Sequence, residues 1–300
     1  MKIAVLLTCF NRKEQTISCL KHVLIARDNY NNEHTNKIEL SFFVTDDKCT
    51  DGTPDEVKDF LKNENLTIIF ADGNAYWAGG MRLAWKKALA TDSFDFYLLL
   101  NDDTMLNADC FKILMETHLY CISRFEKEGV YTAFTNDPDD KTRITYGAKV
   151  YQNGIFYKAV DMLPTGTPQE CTMPNANILL VSKSVCDSVG ILSDDYVHGG
   201  ADWDYGFLCK KAGFPILTTP NVCGSCKNDH KNASEEAKLV KSMTIKERKR
   251  FVNRPTKEYK DGFTFFKKYS QVKFVMLGFA YILNIYMPSV YYKLLQMRGH

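Results

Sequence analysis

The stretch "YLLLNDDTML", residues 97–106, runs an uncharged apolar segment straight into Asn101, Asp102 and Asp103. Adjacent carboxylates repel one another, and holding either at the end of a buried strand is costly unless a partner offsets its charge. A solvated turn or a bound cation would each supply that relief. Further along, Asp202 and Asp204 open "DWDYGFLCKKAGF", one residue after Gly199-Gly200. A carboxylate there would serve either as a proton acceptor or as the acidic cap of a helix. Cys223 and Cys226 form the single C-x-x-C pair, with His230 close behind. Without a second pair, two plain thiols fit better than structural zinc.

These residues need elements to hold them. Apolar strand-like runs at 2–8, 38–45, 66–71 and 94–100 alternate with helix-like segments over 12–28, 53–64 and 79–91. Such alternation predicts an α/β fold with a mainly parallel central sheet flanked by helices. Thr53-Pro54 ahead of "DEVKDFLK" marks a helix start. Beyond it a helix is expected over 107–127, strands near 130–134 and over 143–160 with a hairpin around "QNG", and a strand over 177–182 entering a short helix that stops at Gly190. The segment 202–214 reads as one helix closed by Gly213. From about residue 231 the chain turns basic and helical.

Ligands of open α/β sheets bind beyond the carboxyl ends of the strands. After the first strand stand Thr8, Asn11 and Arg12. After the second stands Asp46, within "DDKCTDGT". After the third come Asp72, Asn74, Gly80 and Arg82, within "DGNAYWAGGMR". After the fourth come Asp102 and Asp103. Each cluster alone reads as a turn or a cap, but four on one edge predict a site. There is no G-x-G-x-x-G after the first strand and no G-x-x-x-x-G-K-[ST] anywhere, which excludes the dinucleotide and P-loop fingerprints. An acidic site without a glycine phosphate cradle needs a hard cation, Mg²⁺ or Mn²⁺, to hold a pyrophosphate. Arg82, behind two glycines that would let backbone approach a ligand, is expected to assist.

With 300 residues, 45% of them hydrophobic and 25% charged, the chain suits a soluble globular protein with a substantial core. Ten scattered cysteines predict reduced thiols and a cytoplasmic setting. No signal peptide is evident, and the opening "MKIAVLLTCF" is expected to be a first strand. The longest apolar run, 274–287, is short for a membrane span and contains Asn284. From Lys227 onward there are 16 basic and 6 acidic residues, a balance of +10, whereas the first 226 residues balance to −8. A basic, aromatic tail predicts an anionic partner, with a membrane surface favoured over nucleic acid.

Together these motifs resemble the family 2 glycosyltransferases of GT-A fold. "VTDDKCTDGT" (44–53), "GNAYWAGGMRLAWKKAL" (73–89), "LLLNDD" (98–103), "MPNANILLVSKSVCDSVGIL" (173–192) and "GGADWDYGFLCKKAGF" (199–214) stand in that family's order. The resemblance implies an inverting, metal-dependent transferase that moves a sugar from a nucleotide-diphosphate-sugar donor to a glycan or lipid-linked acceptor in bacterial cell-surface polysaccharide synthesis. It implies a GT-A domain over 1–230, with a donor half (1–105) and an acceptor half (106–230), and a helical extension over 231–300. Thr8 and Asp46 would meet the donor's base and ribose, Asp102 the ribose or a metal-bound water, and Asp103 the metal. Asp202 would be the catalytic base.

Two departures matter. The family's Glu-Asp pair is Ala201-Asp202 here, which leaves Asp202 alone with Asp204 as fallback. The family's histidine ligand after the last strand falls in "NVCGSCKNDH", where Cys226 or His230 would replace it. Trp77 and Trp203 suit sugar stacking and core packing equally. A sugar-nucleotide pyrophosphorylase would open with a Gly-, Arg- and Lys-bearing loop that "TCFNR" lacks. A non-catalytic sugar-nucleotide-binding or assembly protein would keep the fold and lose the base.

Overall fold

The computed structural model describes residues 1–152, 158–228, 233–257 and 259–297. The first hundred residues form β1 (Lys2–Cys9), α1 (Lys13–Glu33), β2 (Glu39–Asp46), α2 (Thr53–Phe60), β3 (Asn65–Phe70), α3 (Tyr76–Thr91) and β4 (Phe96–Leu100). Next come β5 (Met105–Leu106), α4 (Cys110–Phe125), β6 (Val130–Asn136), β7 (Ile144–Tyr146), β8 (Lys149–Gln152), β9 (Lys158–Asp161), β10 (Ile178–Ser182), α5 (Lys183–Val189), α6 (Ala201–Lys211) and β11 (Ile216–Ser225). Five helices end the chain: α7 (Ala233–Ser242), α8 (Ile245–Val252), α9 (Tyr259–Tyr269), α10 (Gln271–Tyr286) and α11 (Pro288–Met297). The fold is mixed α/β, as the alternation predicts.

The central sheet has the order β3-β2-β1-β4-β10-β6-β11-β5, with β7 on β6. Strands β3, β2, β1 and β4 run parallel, β10 runs against both β4 and β6, and β11 parallels β6. The carboxyl ends of β1, β2, β4, β6 and β11 therefore share one edge, together with the entry to β10. A second ribbon pairs β8 with β9; the turn around "QNG" lies within 153–157, outside the described residues.

Strand alternation builds two cores. Val5, Leu7, Phe42, Leu98 and Leu180 face α1, α2 and α4, while Leu6, Phe43, Tyr97, Leu99 and Val181 face α3, α5 and α6. Trp85 of α3 is fully buried between Tyr97 and Tyr205. A third cluster, with Val240, Phe251, Ile285 and Tyr292, holds the terminal helices together. Phe265 of α9 belongs to the second core and lies edge-on to Trp203 and Phe207 of α6, so the extension is packed onto the sheet domain.

The sequence reading missed β5 and the length of β11. Pro220 interrupts β11, and its pairing with β6 shifts register between Thr218 and Val222, so no clean alternation marks this strand. Among the described residues no helix is long and apolar enough to cross a membrane.

Candidate active site

Asp102 and Asp103 follow β4 at the shared edge. Arg12, just beyond β1, reaches across to both: Nη1 lies 2.5 Å from Asp103 Oδ2 and 3.3 Å from Asp102 Oδ1. Burial pushes the Asp102 carboxyl up to about 7; Arg12 opposes that shift and the neighbouring Asp103 charge adds to it. Asp102 Oδ2 is buried with no hydrogen-bond partner. An orphaned carboxylate oxygen beside a second, part-exposed carboxylate is a donor set that fits a hard divalent cation. Cys226, immediately after β11, points its thiol at the same place, with Sγ 3.5 Å from Asp103 Oδ1. His230, the other expected substitute, lies outside the described residues.

Hydrogen bonds of Asn101, the chain neighbour of this pair, and of Asp202 meet at Ala176-Asn177 and so connect the two. The Asn101 backbone donates to Asn177 O, and its side-chain amide donates to Asn177 Oδ1 at 3.0 Å. One residue earlier, the Ala176 amide donates to Asp202 Oδ2 at 3.2 Å, while the Trp203 amide donates to Asp202 Oδ1 at 2.9 Å. Asp202 sits in the first turn of α6, which Gly200 caps at φ 77°, a left-handed angle that glycine adopts without strain. Burial pushes its carboxyl up to about 6, against the pull of the two amides. It is a buried carboxylate without a cationic partner among its hydrogen bonds, which suits a proton acceptor near neutral pH.

Asp204 differs. It is fully buried and accepts from Tyr269 at 2.8 Å, Tyr196 at 3.0 Å and Lys268 at 3.3 Å. Its surroundings join α6 to α9, which makes it a packing anchor.

The loop before Asp202 is clamped from two sides. Asp261, on α9 and 3% exposed, accepts from the amides of His198 (2.7 Å), Gly199 (2.9 Å) and Val197 (3.2 Å). Arg82 donates to the carbonyls of Ser193 and Tyr196 at 2.9 and 2.8 Å and pairs with Asp194 at 3.0 Å. The guanidinium expected at a diphosphate is thus engaged with this loop. Arg82, Asp72 and Asn74 line one cleft of about 440 Å³ together with Val197 and Asp194. Among the residues lining it are none of Asp46, Asp102, Asp103 or Asp202.

The remaining expected residues hold the edge together. Asn11 Oδ1 accepts from the Thr50 amide at 2.7 Å, and its own amide donates to Cys49 Sγ. Asp46 is 4% exposed and accepts from the Cys49 amide at 2.8 Å. Cys9, Asp46 and Cys49 offer ligand atoms within 4.8 Å of one another, yet burial pushes both thiols up, Cys49 to about 11 and Cys9 further. At Gly80 a Cβ would meet Thr8 Oγ1 at 2.1 Å, so the glycine is needed for α3 to lie on β1. Thr45 donates to Gly80 O at 2.8 Å beside it.

Sequence reasoning passed over Asp47 and Asp261. Asp47 accepts from the amides of Gly73, Ala75 and Tyr76 and sets the start of α3. Its signal was the doubled acid of "TDDK". Asp261 carried no local signal, because its partners lie some sixty residues upstream. Trp77 donates to Asn101 Oδ1 at 2.7 Å and so borders the acid pair, whereas Trp203 packs on Phe265.

This architecture is the glycosyltransferase fold. A mannosyltransferase from Pyrobaculum calidifontis, solved with GDP-Man and Mn²⁺, matches at a TM-score of 0.53 and 13% identity, over 96% of this chain and 73% of that one. S. aureus TarS 1-349 in complex with UDP-GlcNAc matches at 0.54 and 13% identity, over 95% and 82%. Against the longer S. aureus TarS structure the score is 0.52 at 15% identity, over 87% of this chain but 42% of that one. No protein-family model and no curated protein sequence matches the chain.

Proposed function

We propose that this protein is an inverting glycosyltransferase of the family 2 type, moving a sugar from a nucleotide-diphosphate-sugar donor to a hydroxyl of a glycan or lipid-linked acceptor in polysaccharide assembly. The observation that carries the reading is the link Asp202–Ala176–Asn177–Asn101, which ties a lone raised carboxylate to the strand end that leads into Asp102 and Asp103. The structural neighbours support it: the mannosyltransferase holds GDP-Man, and TarS holds UDP-GlcNAc.

The Asp202 carboxylate takes the acceptor hydroxyl's proton as that oxygen bonds to the anomeric carbon. The bond from that carbon to the diphosphate oxygen breaks on the opposite face, and the nucleoside diphosphate leaves with the electron pair. Asp46 and Thr8 would meet the base and ribose, and Arg12 holds positive charge beside the acids. Asp103, with Asp102 and the Cys226 thiol, would hold Mg²⁺ or Mn²⁺, which supplies charge stabilisation to the leaving diphosphate when bound. The acceptor would be met at the inner face of the plasma membrane, with the catalytic domain in the cytoplasm.

A thermal-shift panel of nucleoside diphosphates, with and without Mn²⁺, tests donor binding by mass action. Asp202→Asn is expected to keep that shift and lose sugar transfer. Transfer at the normal rate in this variant would overturn the mechanism.

A further inference from the structure

The terminal helices leave an apolar face uncovered. On α10, Val272, Val275, Met276, Phe279, Ile282 and Tyr286 are 39–65% exposed, at spacings that put them on one side of a helix. The other side is used: Phe274 and Tyr281 lie edge-on to Phe263, Ile285 enters the third core, and buried Asn284 donates to Tyr259. The pattern continues on α11, where Val290, Leu294 and Met297 are 40–77% exposed on one side. Scattered exposed hydrophobics are ordinary; a run along two consecutive helices marks an interaction surface.

The charge around this face identifies its occupant. After Asp261 the chain contains no aspartate or glutamate. Lys268 and Lys273 turn toward the sheet domain, to Asp204 and Tyr151, which leaves Lys293 and Lys249 as cations at this face. Lys293 is exposed on the same side of α11 as Val290 and Leu294. Lys249 of α8 places Nζ 5.5 Å over the Tyr286 ring, bringing a cation to the end of the α10 stripe. Pairing with a second copy would bring like charges together, Lys293 and Lys249 on each face. An anionic lipid surface offers both the apolar layer and the opposite charge. No described helix can span a bilayer, so these two would lie in its interface.

We propose that the exposed face of α10 and α11 docks this protein onto an anionic lipid bilayer. The proposal deepens the reading of a membrane-held acceptor and rests on that reading only for its purpose; the docking itself requires no sugar transfer.

The test is co-sedimentation of the full chain with phosphatidylcholine vesicles, with and without phosphatidylglycerol. The wild type should pellet with the mixed vesicles, less at high salt, and bind weakly to phosphatidylcholine alone. Phe279→Asp with Ile282→Asp should weaken binding roughly tenfold or more. Lys293→Glu should weaken it severalfold and only on anionic vesicles. Each variant is checked by its melting temperature and its nucleoside-diphosphate shift. If the aspartates disturb folding, Val275→Ser with Val290→Ser probes the same face more gently. A wild type that stays in the supernatant, or folded variants that bind as well as it does, would overturn the proposal. So would a wild-type dimer in analytical ultracentrifugation that Phe279→Asp dissociates, since the face would then belong to a second copy. Loss of the nucleotide shift with vesicle binding intact would count against the transferase reading and leave the docking surface standing.

Discussion

Asp261 on the terminal extension accepts the His198 amide at 2.7 Å, across more than sixty residues of chain. With Gly199 and Val197 on the same carboxylate, one side chain satisfies three amides of the loop that leads into Asp202. The extension thereby sets the geometry of the candidate base. Asp261→Ala leaves three part-buried amide donors unmet and is expected to cost about 1–3 kcal/mol of stability. Asp261→Asn keeps the shape but turns an NH₂ toward an amide donor. It should raise the acceptor KM while the thermal shift by nucleoside diphosphates stays unchanged. An unchanged acceptor KM would limit Asp261 to a purely structural role.

Gly80 and Thr8 make a second testable contact. A methyl group at Gly80 would lie 2.1 Å from Thr8 Oγ1 and 2.7 Å from its Cβ. Gly80→Ala should therefore destabilise by about 1–3 kcal/mol through overpacking between α3 and β1. Thr8→Ala removes the hydroxyl and the γ-methyl and should recover part of that loss in the double variant. Melting curves of the four proteins give the coupling directly, and strict additivity would contradict the contact.

Strands β1 to β4 were readable because each is an apolar run bounded by turn residues, and all end on one edge through parallel pairing. The polar residues beyond them were therefore found as a set. Their individual tasks were not readable. Gly80 looked like room for a ligand and is room for Thr8. Arg82 looked like a phosphate contact and is engaged with the 193–196 loop. Asp204 was a fallback base and is buried under Tyr196, Tyr269 and Lys268. Each of those tasks depends on a partner distant in sequence, which no local pattern encodes.

Arg12 beside Asp102 and Asp103 yields a prediction about cations. In this arrangement the guanidinium offsets the repulsion of the two acids. Arg12→Met should lower the melting temperature in chelator, and Mn²⁺ should restore more of it than it adds to the wild type. Asp103→Asn should remove most of the Mn²⁺ response. Cys226→Ala should weaken that response less, since the thiol stands beside a single carboxylate oxygen. A Mn²⁺ response unchanged in Asp103→Asn would place the cation elsewhere.

Asp202 gives the pH dependence. Its carboxyl is pushed up to about 6 by burial, from an ordinary value of 3.8. The base must be ionised to accept a proton, so kcat/KM should fall as pH drops through about 6 and level off above it. Stability runs the other way. A raised folded pKa means the folded protein holds this proton more tightly than the unfolded chain, so the charge penalty is absent below about 4. It grows as pH rises to about 6 and is constant beyond, at up to about 3 kcal/mol. Asp202→Asn escapes that penalty but leaves one of the Ala176 and Trp203 amides facing an NH₂, a loss of about 1–2 kcal/mol. The variant's melting temperature should therefore equal or exceed the wild type's at pH 8 and fall below it at pH 4, with sugar transfer lost at both. A variant less stable at pH 8 than at pH 4, relative to wild type, would show that Asp202 is not buried as a costly charge.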